Sequence, residues 1–198
     1  MKKLEAKMEN FLWQKTLLDM YNSFDRNVIM SDNKFNRLVA KSMYNNNTYL
    51  LYSEMVSSMT RKNNCMLAKA IVDNALEKLR KTNNNILDFY YRLKLSFKEI
   101  AEKEQINIRQ VFRNFDKELA TFAYYLTEQG YDSTAIMKEF SKDNLFLSNY
   151  TRLEIKVNNK AKFSIQMAEN YVDEDFNHYK QEPKFAKDDF VFLEAVCD

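Results

Sequence analysis

A single glycine, Gly130, and a single proline, Pro183, stand in a chain of 198 residues. Glycine-rich phosphate-binding loops need several glycines at fixed spacing, so this chain can form neither a P-loop nor a GxGxxG turn. Glycine and proline are also the residues that most often interrupt regular secondary structure. Because 45% of the residues are hydrophobic, the chain is apolar enough to fold around a core. The sequence therefore predicts a mainly α protein, organised as a multi-helix domain.

Polar segments predict where helices begin and end. Ser31 or Asp32 is a candidate N-cap for a helix over residues 35–43. RKNN at 61–64 predicts a break between two further helices. TNNN at 82–85 predicts another helix end, because asparagine tolerates the left-handed backbone conformation that ends a helix.

The C-terminal part changes its periodicity. Apolar and polar residues alternate over 150–157 and again over 161–167, and an Asn-Asn-Lys segment lies between the two runs. This pattern is typical of two strands joined by a tight turn. The sequence therefore predicts a C-terminal β-hairpin or small antiparallel sheet, for which FVFLEAV at 190–196 is a candidate third strand.

This change of period suggests a helical domain over 1–143 and a small acidic segment with the β-hairpin over 144–198. No apolar run approaches the roughly 20 residues that a membrane span needs. The first residues are basic but lack the uncharged apolar stretch of a secretory signal. We expect a cytoplasmic protein with no membrane partner, or a virion-associated one if a phage encodes it.

Reactive residues are scarce. Cys65 and Cys197 are far apart in sequence and match no metal-binding spacing, so we expect two free, buried thiols. His178 is the only histidine, and any Ser-His-Asp or Cys-His site would have to use it. The acidic run 173–175 is more typical of a solvated surface than of a cation site. We predict no catalytic residues, no metal, no cofactor and no small-molecule substrate, and therefore no enzyme.

Charge is distributed unevenly along the chain. Residues 1–117 contain 21 Lys and Arg against 13 Asp and Glu, a balance of +8, whereas residues 118–198 contain 9 against 15, a balance of −6. The densest basic stretch, 61–94, is a candidate phosphate-binding region, because a basic surface indicates a polyanionic partner. Alternatively, the two parts neutralise each other, within one molecule or between copies.

Residues 95–119 carry the clearest functional signal. Ser96 and Glu99 are spaced as a capping box, and Asn107 is a candidate N-cap for a second helix. Between the two helices, Gln105 stands where a glycine would more easily adopt a left-handed conformation. The predicted inward-facing residues are Ile100, Ala101, Val111, Phe115 and Leu119. Two helices with a short turn and a buried contact between them constitute a helix-turn-helix.

The opposite face of the second helix carries Arg109, Arg113 and Lys117 at i, i+4 and i+8, which we call the basic stripe. Arginine can pair bidentately with guanine, glutamine and asparagine with adenine, and lysine can neutralise phosphate. The predicted DNA-binding residues are Asn107, Arg109, Gln110, Arg113, Asn114 and Lys117. Over 95–119 as a whole, however, five basic residues meet five acidic ones.

This stretch resembles the helix-turn-helix of bacterial sigma-factor region 4 and related regulators. The pattern L-S-x-x-E-I-A stands at residues 95–101, and residues 86–92 resemble the helix that packs before the motif in that family. The apolar positions of the pattern that follow are Ile106, Val111, Phe115 and Leu119. The resemblance covers about 35 residues and implies promoter-type DNA recognition by the helix that begins at Asn107.

We therefore expect a non-enzymatic protein that binds double-stranded DNA, specifically a transcription regulator. It would form a homo-oligomer or bind a protein partner through its acidic C-terminal part. One alternative is a phage or mobile-element assembly or DNA-packaging protein, similar to a small terminase subunit. The other is a structural oligomer without a nucleic-acid role, joined basic part to acidic part.

Overall fold

The structure is a computed structural model that describes residues 2–44 and 48–173. Over these residues the chain is mainly helical, as the sequence predicts, and contains no strand. A 3-10 turn at Tyr21–Ser23 joins the first two helices. The α-helices are Lys2–Met20 (α1), Phe24–Ser42 (α2), Thr48–Lys81 (α3), Ile86–Tyr91 (α4), Phe97–Glu104 (α5), Ile108–Glu128 (α6), Ser133–Phe140 (α7) and Asn144–Asp173 (α8).

The main core joins helices that are distant in sequence. The ring of Trp13 in α1 stacks on Tyr150 of α8 with centroids 4.2 Å apart, and Phe140 of α7 stacks on Phe146 of α8 at 4.6 Å. Burying each large apolar side chain contributes about 1.5–3 kcal/mol. The largest fully buried side chains are Trp13, Phe24, Phe122, Phe140 and Phe146. These contacts hold α1, α7 and the beginning of α8 together.

A second, smaller core lies between α4, α5 and α6. Ile86, Ile100 and Val111 are buried together, one from each helix. The rings of Phe97 and Phe115 meet edge to face at 5.3 Å beside them. Because the inner side of α6 is used in these contacts, the opposite side of its first turns remains available to solvent.

Two of the predicted helix boundaries are wrong. Helix α2 begins at Phe24, so Ser31 and Asp32 lie in its middle and cap nothing. Ser31 is buried because α2 packs on α3 there, and the hydroxyl of Ser58 donates a hydrogen bond to the Ser31 carbonyl oxygen at 2.8 Å. A small polar residue at a helix–helix contact looks like a helix start in the sequence alone.

Helix α3 continues through the predicted break at 61–64. Arg61 and Lys62 form ion pairs with Asp143 and Asp32 at 3.1 and 2.7 Å, and Asn64 is buried. Tertiary contacts therefore override the weak helix propensity of this segment. By contrast, α3 does end at Lys81, just before the predicted TNNN turn, in which Asn83 is left-handed with φ 59°.

The two halves of α3 have different surroundings. Between residues 49 and 63, Leu51 and Ser58 are the buried side chains. Between residues 64 and 79, eight side chains are buried, because this half passes through the main core. The first half packs on α2 and exposes large apolar side chains, among them Tyr49 and Tyr52.

The predicted β-hairpin is not found, since residues 150–157 and 161–167 lie within α8. The same sequence also fits a helical period, because Tyr150, Leu153 and Val157 fall on one side of α8 and are partly buried. The stacking of Tyr150 on Trp13 fixes that side against α1. The Asn-Asn-Lys segment is accommodated inside the helix. The candidate third strand, 190–196, lies outside the described residues.

Residues just beyond the predicted domain boundary contact the helical body, since Phe146 is part of the main core. The division into 1–143 and 144–198 stays a prediction. Among the helices that the structure describes, none combines the length and apolar character required to cross a membrane.

Candidate nucleic-acid interface

The N-terminus of α5 is built by local hydrogen bonds. The Ser96 hydroxyl accepts a hydrogen bond from the Glu99 amide at 3.4 Å, and a Glu99 carboxylate oxygen accepts one from the Ser96 amide at 2.7 Å. This is the predicted capping box, and it is confirmed. The hydrogen bonds from the Ser96 side chain and backbone lower the pKa of Glu99. Glu99 is therefore ionised and engaged with its own helix.

The turn between α5 and α6 depends on a left-handed residue. Gln105 has φ 55° and ψ 37°, the conformation that glycine adopts at lower cost. The Ile106 amide donates to the Ala101 carbonyl oxygen at 3.0 Å, which closes α5 as a Schellman motif does. Asn107 then caps α6, and its side-chain oxygen accepts the Arg109 amide at 2.9 Å. The predicted cap at Asn107 is confirmed.

Packing between α5 and α6 follows the predicted inward positions. Ile100 and Val111 are fully buried and Leu119 nearly so, while Ala101 and Phe115 are partly buried. The ring of Phe97 lies 4.9 Å from that of Tyr90 in α4, which adds the third helix to the contact. The orientation of α6 relative to α5 is therefore fixed by a continuous apolar interface.

The basic stripe of α6 is exposed along its whole length. Arg109, Arg113 and Lys117 make no side-chain hydrogen bond or ion pair with any residue that the structure describes. Their spacing of four residues places them on successive turns of the same face. All three charges are available to an external ligand.

Gln110 and Asn114 are partly buried and bind each other. The side-chain nitrogen of Gln110 donates to the side-chain oxygen of Asn114 at 2.8 Å. This bond leaves the Gln110 carbonyl oxygen as an acceptor and the Asn114 amide nitrogen as a donor. The two predicted base-reading residues therefore act as one fixed pair beside the basic stripe.

Of the two carboxylates of α6 near the basic stripe, Glu118 is buried and Asp116 is half-buried. Glu118 is buried and accepts hydrogen bonds from the Ile86 and Leu87 amides at 3.2 and 2.9 Å, at the N-terminus of α4. Burial raises the pKa of Glu118, although these two hydrogen bonds oppose the rise. Burial also raises the pKa of Asp116, which lies near Lys15. The exposed face of α6 up to Lys117 is thus positive, although the sequence of 95–119 counts as neutral.

Two apolar side chains on α6 were not among the predicted site residues. Ile108 is 36% exposed and Phe112 is 47% exposed, next in sequence to Arg109 and Arg113. The ring of Phe112 lies 4.7 Å from that of Phe97, so it is supported from one side. Their own i, i+4 spacing, one residue before each arginine, is the sequence signal that identifies them. Apolar side chains at such positions can contact the thymine methyl group.

The basic stretch 61–94 differs from the basic stripe. Six of its eight basic residues lie within 4.0 Å of a carboxylate oxygen of this chain. Lys81 and Lys94 have no such partner among the described residues. The paired residues are Arg61, Lys62, Lys69, Lys78, Arg80 and Arg92. These six charges have carboxylate partners within the chain, unlike those of the basic stripe, and the phosphate-binding role of this stretch stays a prediction.

Reactive groups do not gather near α6 in the described part of the chain. Cys65 is a free thiol buried in the main core, and burial raises its pKa to about 11. A thiol in that environment is protonated and unreactive at neutral pH. Cys197 and His178 lie outside the described residues, as does most of the acidic run 173–175.

No protein-family model matches this chain, and no curated protein or solved structure is significantly similar to it.

Proposed function

We propose that this chain is a non-enzymatic DNA-binding protein, a transcription regulator that places the first turns of α6 in the major groove of duplex DNA. The observation that carries the proposal is the basic stripe, whose charges are exposed and unpaired while the nearby carboxylates of α6 face inward. The capped turn between α5 and α6 also fits a helix-turn-helix, in which the second helix reads the groove. The resemblance of residues 95–119 to sigma-factor region 4 agrees with it.

Each residue has a distinct role in this proposal. Arg109 and Arg113 pair with guanine edges, and the fixed Gln110–Asn114 pair offers one acceptor and one donor to a neighbouring base. Lys117 neutralises a phosphate. Asn107 holds the N-terminus of α6 in place, and the partial positive charge of that terminus favours a phosphate next to it.

We further propose that the protein binds DNA as a dimer. One recognition helix covers too small an interface for the affinity of a typical specific complex. Sedimentation of the free and DNA-bound protein measures the stoichiometry. A dimer agrees with a regulator, whereas a closed ring of many copies would favour the DNA-packaging alternative.

The test measures binding to fluorescent duplex DNA of mixed sequence at several salt concentrations between about 50 and 200 mM. We expect affinity to fall with salt and the double variant Arg109→Ala/Arg113→Ala to bind more weakly. On a duplex that contains the preferred site, the loss should be about 1–3 kcal/mol per base contact removed. A variant that only lowers the salt slope by about 1 per residue would identify phosphate contacts instead.

The matched control is Lys69→Ala/Lys78→Ala, which also removes two positive charges. Both lysines are ion-paired within the chain, with Asp25 at 2.6 Å and Glu128 at 3.0 Å. We expect this variant to bind DNA as the unmodified protein does. Equal weakening by both double variants would reduce the effect to net charge, and absence of binding at the lowest salt would disprove the proposal.

A further inference from the structure

A cavity of about 320 Å³ opens between α2 and α3, on a part of the molecule that the DNA-binding proposal does not use. Three basic residues line it, Lys34 and Arg37 from α2 and Arg61 from α3. Asn27 and Ser57 add an amide and a hydroxyl group to the wall. No carboxylate is among its lining residues. The cavity thus brings together hydrogen-bond donors and positive charges without a carboxylate in its lining.

The cavity exists because α2 and α3 touch at small residues. Ser31 and Ser58 form part of its lining, and the Ser58 hydroxyl donates to the Ser31 carbonyl oxygen at 2.8 Å. Serines bring the two backbones close and leave space where larger side chains would fill it. The longer basic side chains then border this space. Met30 is the one apolar residue among those that line the cavity.

Arg61 is held in place before any ligand arrives. Its Nε donates to a carboxylate oxygen of Asp143 at 3.1 Å, and the same oxygen accepts the Leu145 amide at 3.0 Å. The Asp143 side chain is only 4% exposed, so this anchor is rigid. The two terminal nitrogens of the guanidinium have no hydrogen-bond partner among the described residues. A fixed arginine loses little conformational entropy when these nitrogens bind a ligand.

The other two cations are weakly compensated. Arg37 is exposed and makes no ion pair within the described part of the chain. Lys34 lies 4.0 Å from a Glu54 oxygen, at the limit of an ion pair, and both side chains are about half exposed. Such an exposed pair contributes little and separates readily. Counting Glu54 and Asp143 against the three cations, the site retains a net positive charge.

We propose that this cavity binds a phosphate monoester of a small molecule, as a ligand and not as a substrate. Arginine forks and lysine are the side chains that bind phosphate oxygens most strongly, and hydroxyl and amide donors complete such sites. The volume lies at the lower end of the range for small-molecule pockets, which suits a ligand of nucleoside-monophosphate size.

The test is calorimetric titration of the full chain with adenosine 5′-monophosphate, inorganic phosphate and adenosine. We expect the monophosphate to bind, inorganic phosphate to bind more weakly, and adenosine not to bind. Arg37→Ala removes charge-assisted hydrogen bonds to the phosphate, so it should weaken binding at least about tenfold. Arg37 is exposed, and circular dichroism checks that the variant keeps its helix content.

Arg26→Ala is the matched control, because Arg26 is an exposed arginine on α2 that does not line the cavity. This variant should bind the monophosphate as the unmodified protein does. Equal losses in both variants would reduce the effect to net charge and overturn the proposal. It would also be overturned if sulfate at the same ionic strength binds equally well, or if Arg37→Ala weakens binding to duplex DNA and not to the monophosphate.

Discussion

On α3, five of six basic residues lie within 4.0 Å of a carboxylate oxygen, whereas on the first turns of α6 none of the three basic residues of the stripe has such a partner. The residue types are the same. The neighbours differ, because α3 runs alongside α2 and α6, which supply Asp25, Asp32 and Glu128. The outer side of the first turns of α6 faces no other described helix.

The density of basic residues in a sequence therefore does not locate the unpaired positive charges of the folded chain. The stretch 61–94 has the higher basic density, yet six of its eight basic residues are paired with carboxylates of the chain. The stretch 95–119 counts as neutral, yet Glu99 and Glu118 are bound to backbone amides. A basic side chain stays unpaired only where no carboxylate of the chain is close in space. The following experiments test that distinction.

The largest expected effect is on stability, from Arg92→Ala. Arg92 donates to Asp73 at 2.8 Å and to Asp88 at 3.0 Å, and its side chain is 24% exposed. Its loss leaves two carboxylates without their cation, and we expect the free energy of unfolding to fall by about 2–4 kcal/mol, given partial solvent screening. Urea unfolding measures this. A loss below about 1 kcal/mol would show that these charges are effectively solvated, so that pairing would not distinguish the two stretches.

An intermediate effect is expected from Glu118→Gln. The glutamine side chain places an N–H donor against one of the two α4 backbone N–H groups that now donate to the carboxylate. We therefore expect the free energy of unfolding to fall by about 1–3 kcal/mol. DNA affinity should stay the same, because Glu118 is buried and not part of the exposed face. A tighter complex with DNA would mean that the charge of Glu118 reaches the basic stripe.

The same variant gives a pH signature. Burial raises the pKa of Glu118 in the folded state, so its favourable contribution is complete below the unfolded pKa of about 4.3 and is lost as pH rises through the folded pKa. The unmodified protein should therefore lose more stability than Glu118→Gln between about pH 4 and pH 7. Asp116 is present in both proteins, so its own raised pKa cancels. Parallel pH profiles would contradict this reading.

The smallest expected effect on stability comes from a substitution in the turn that sets the orientation of α6. Gln105→Gly relieves the left-handed strain at φ 55° and should raise the free energy of unfolding by about 0.5–1 kcal/mol, after the entropy that glycine gains in the unfolded state. Gln129→Gly is the control, because Gln129 ends α6 at φ −77° and has no such strain. That variant should be unchanged or less stable, and equal responses at both positions would show that Gln105 is not strained.

Local features were predictable from the sequence where a few neighbouring residues determine them. Ser96, Glu99 and Asn107 cap their helices because their side chains reach the backbone three or fewer residues away. The apolar side of α6 followed from the spacing of Val111 and Leu119. These signals need no knowledge of the rest of the chain.

Features that depend on distant residues were not predictable. The continuity of α3 through 61–64 depends on Asp32 and Asp143, which are about 30 and 80 positions away. At 150–157 the alternating pattern alone fits a strand as well as a helix, and the contact seen there is the stacking of Tyr150 on Trp13. The inward position of Glu118 depends on the backbone amides at the N-terminus of α4, which have no acceptor within that helix. In each case the sequence pattern fits two structures, and a contact with a residue distant in the sequence decides which one forms.

Helix α3 also has a consequence for motion. Its backbone is one uninterrupted helix, yet two side chains are buried between residues 49 and 63 and eight between residues 64 and 79. Amide hydrogens of the first half can exchange with solvent through local opening, while those of the second half must await disruption of the main core. Protection against deuterium exchange should therefore rise along α3 from its N-terminus, so that one helix contains both easily opened and persistent backbone.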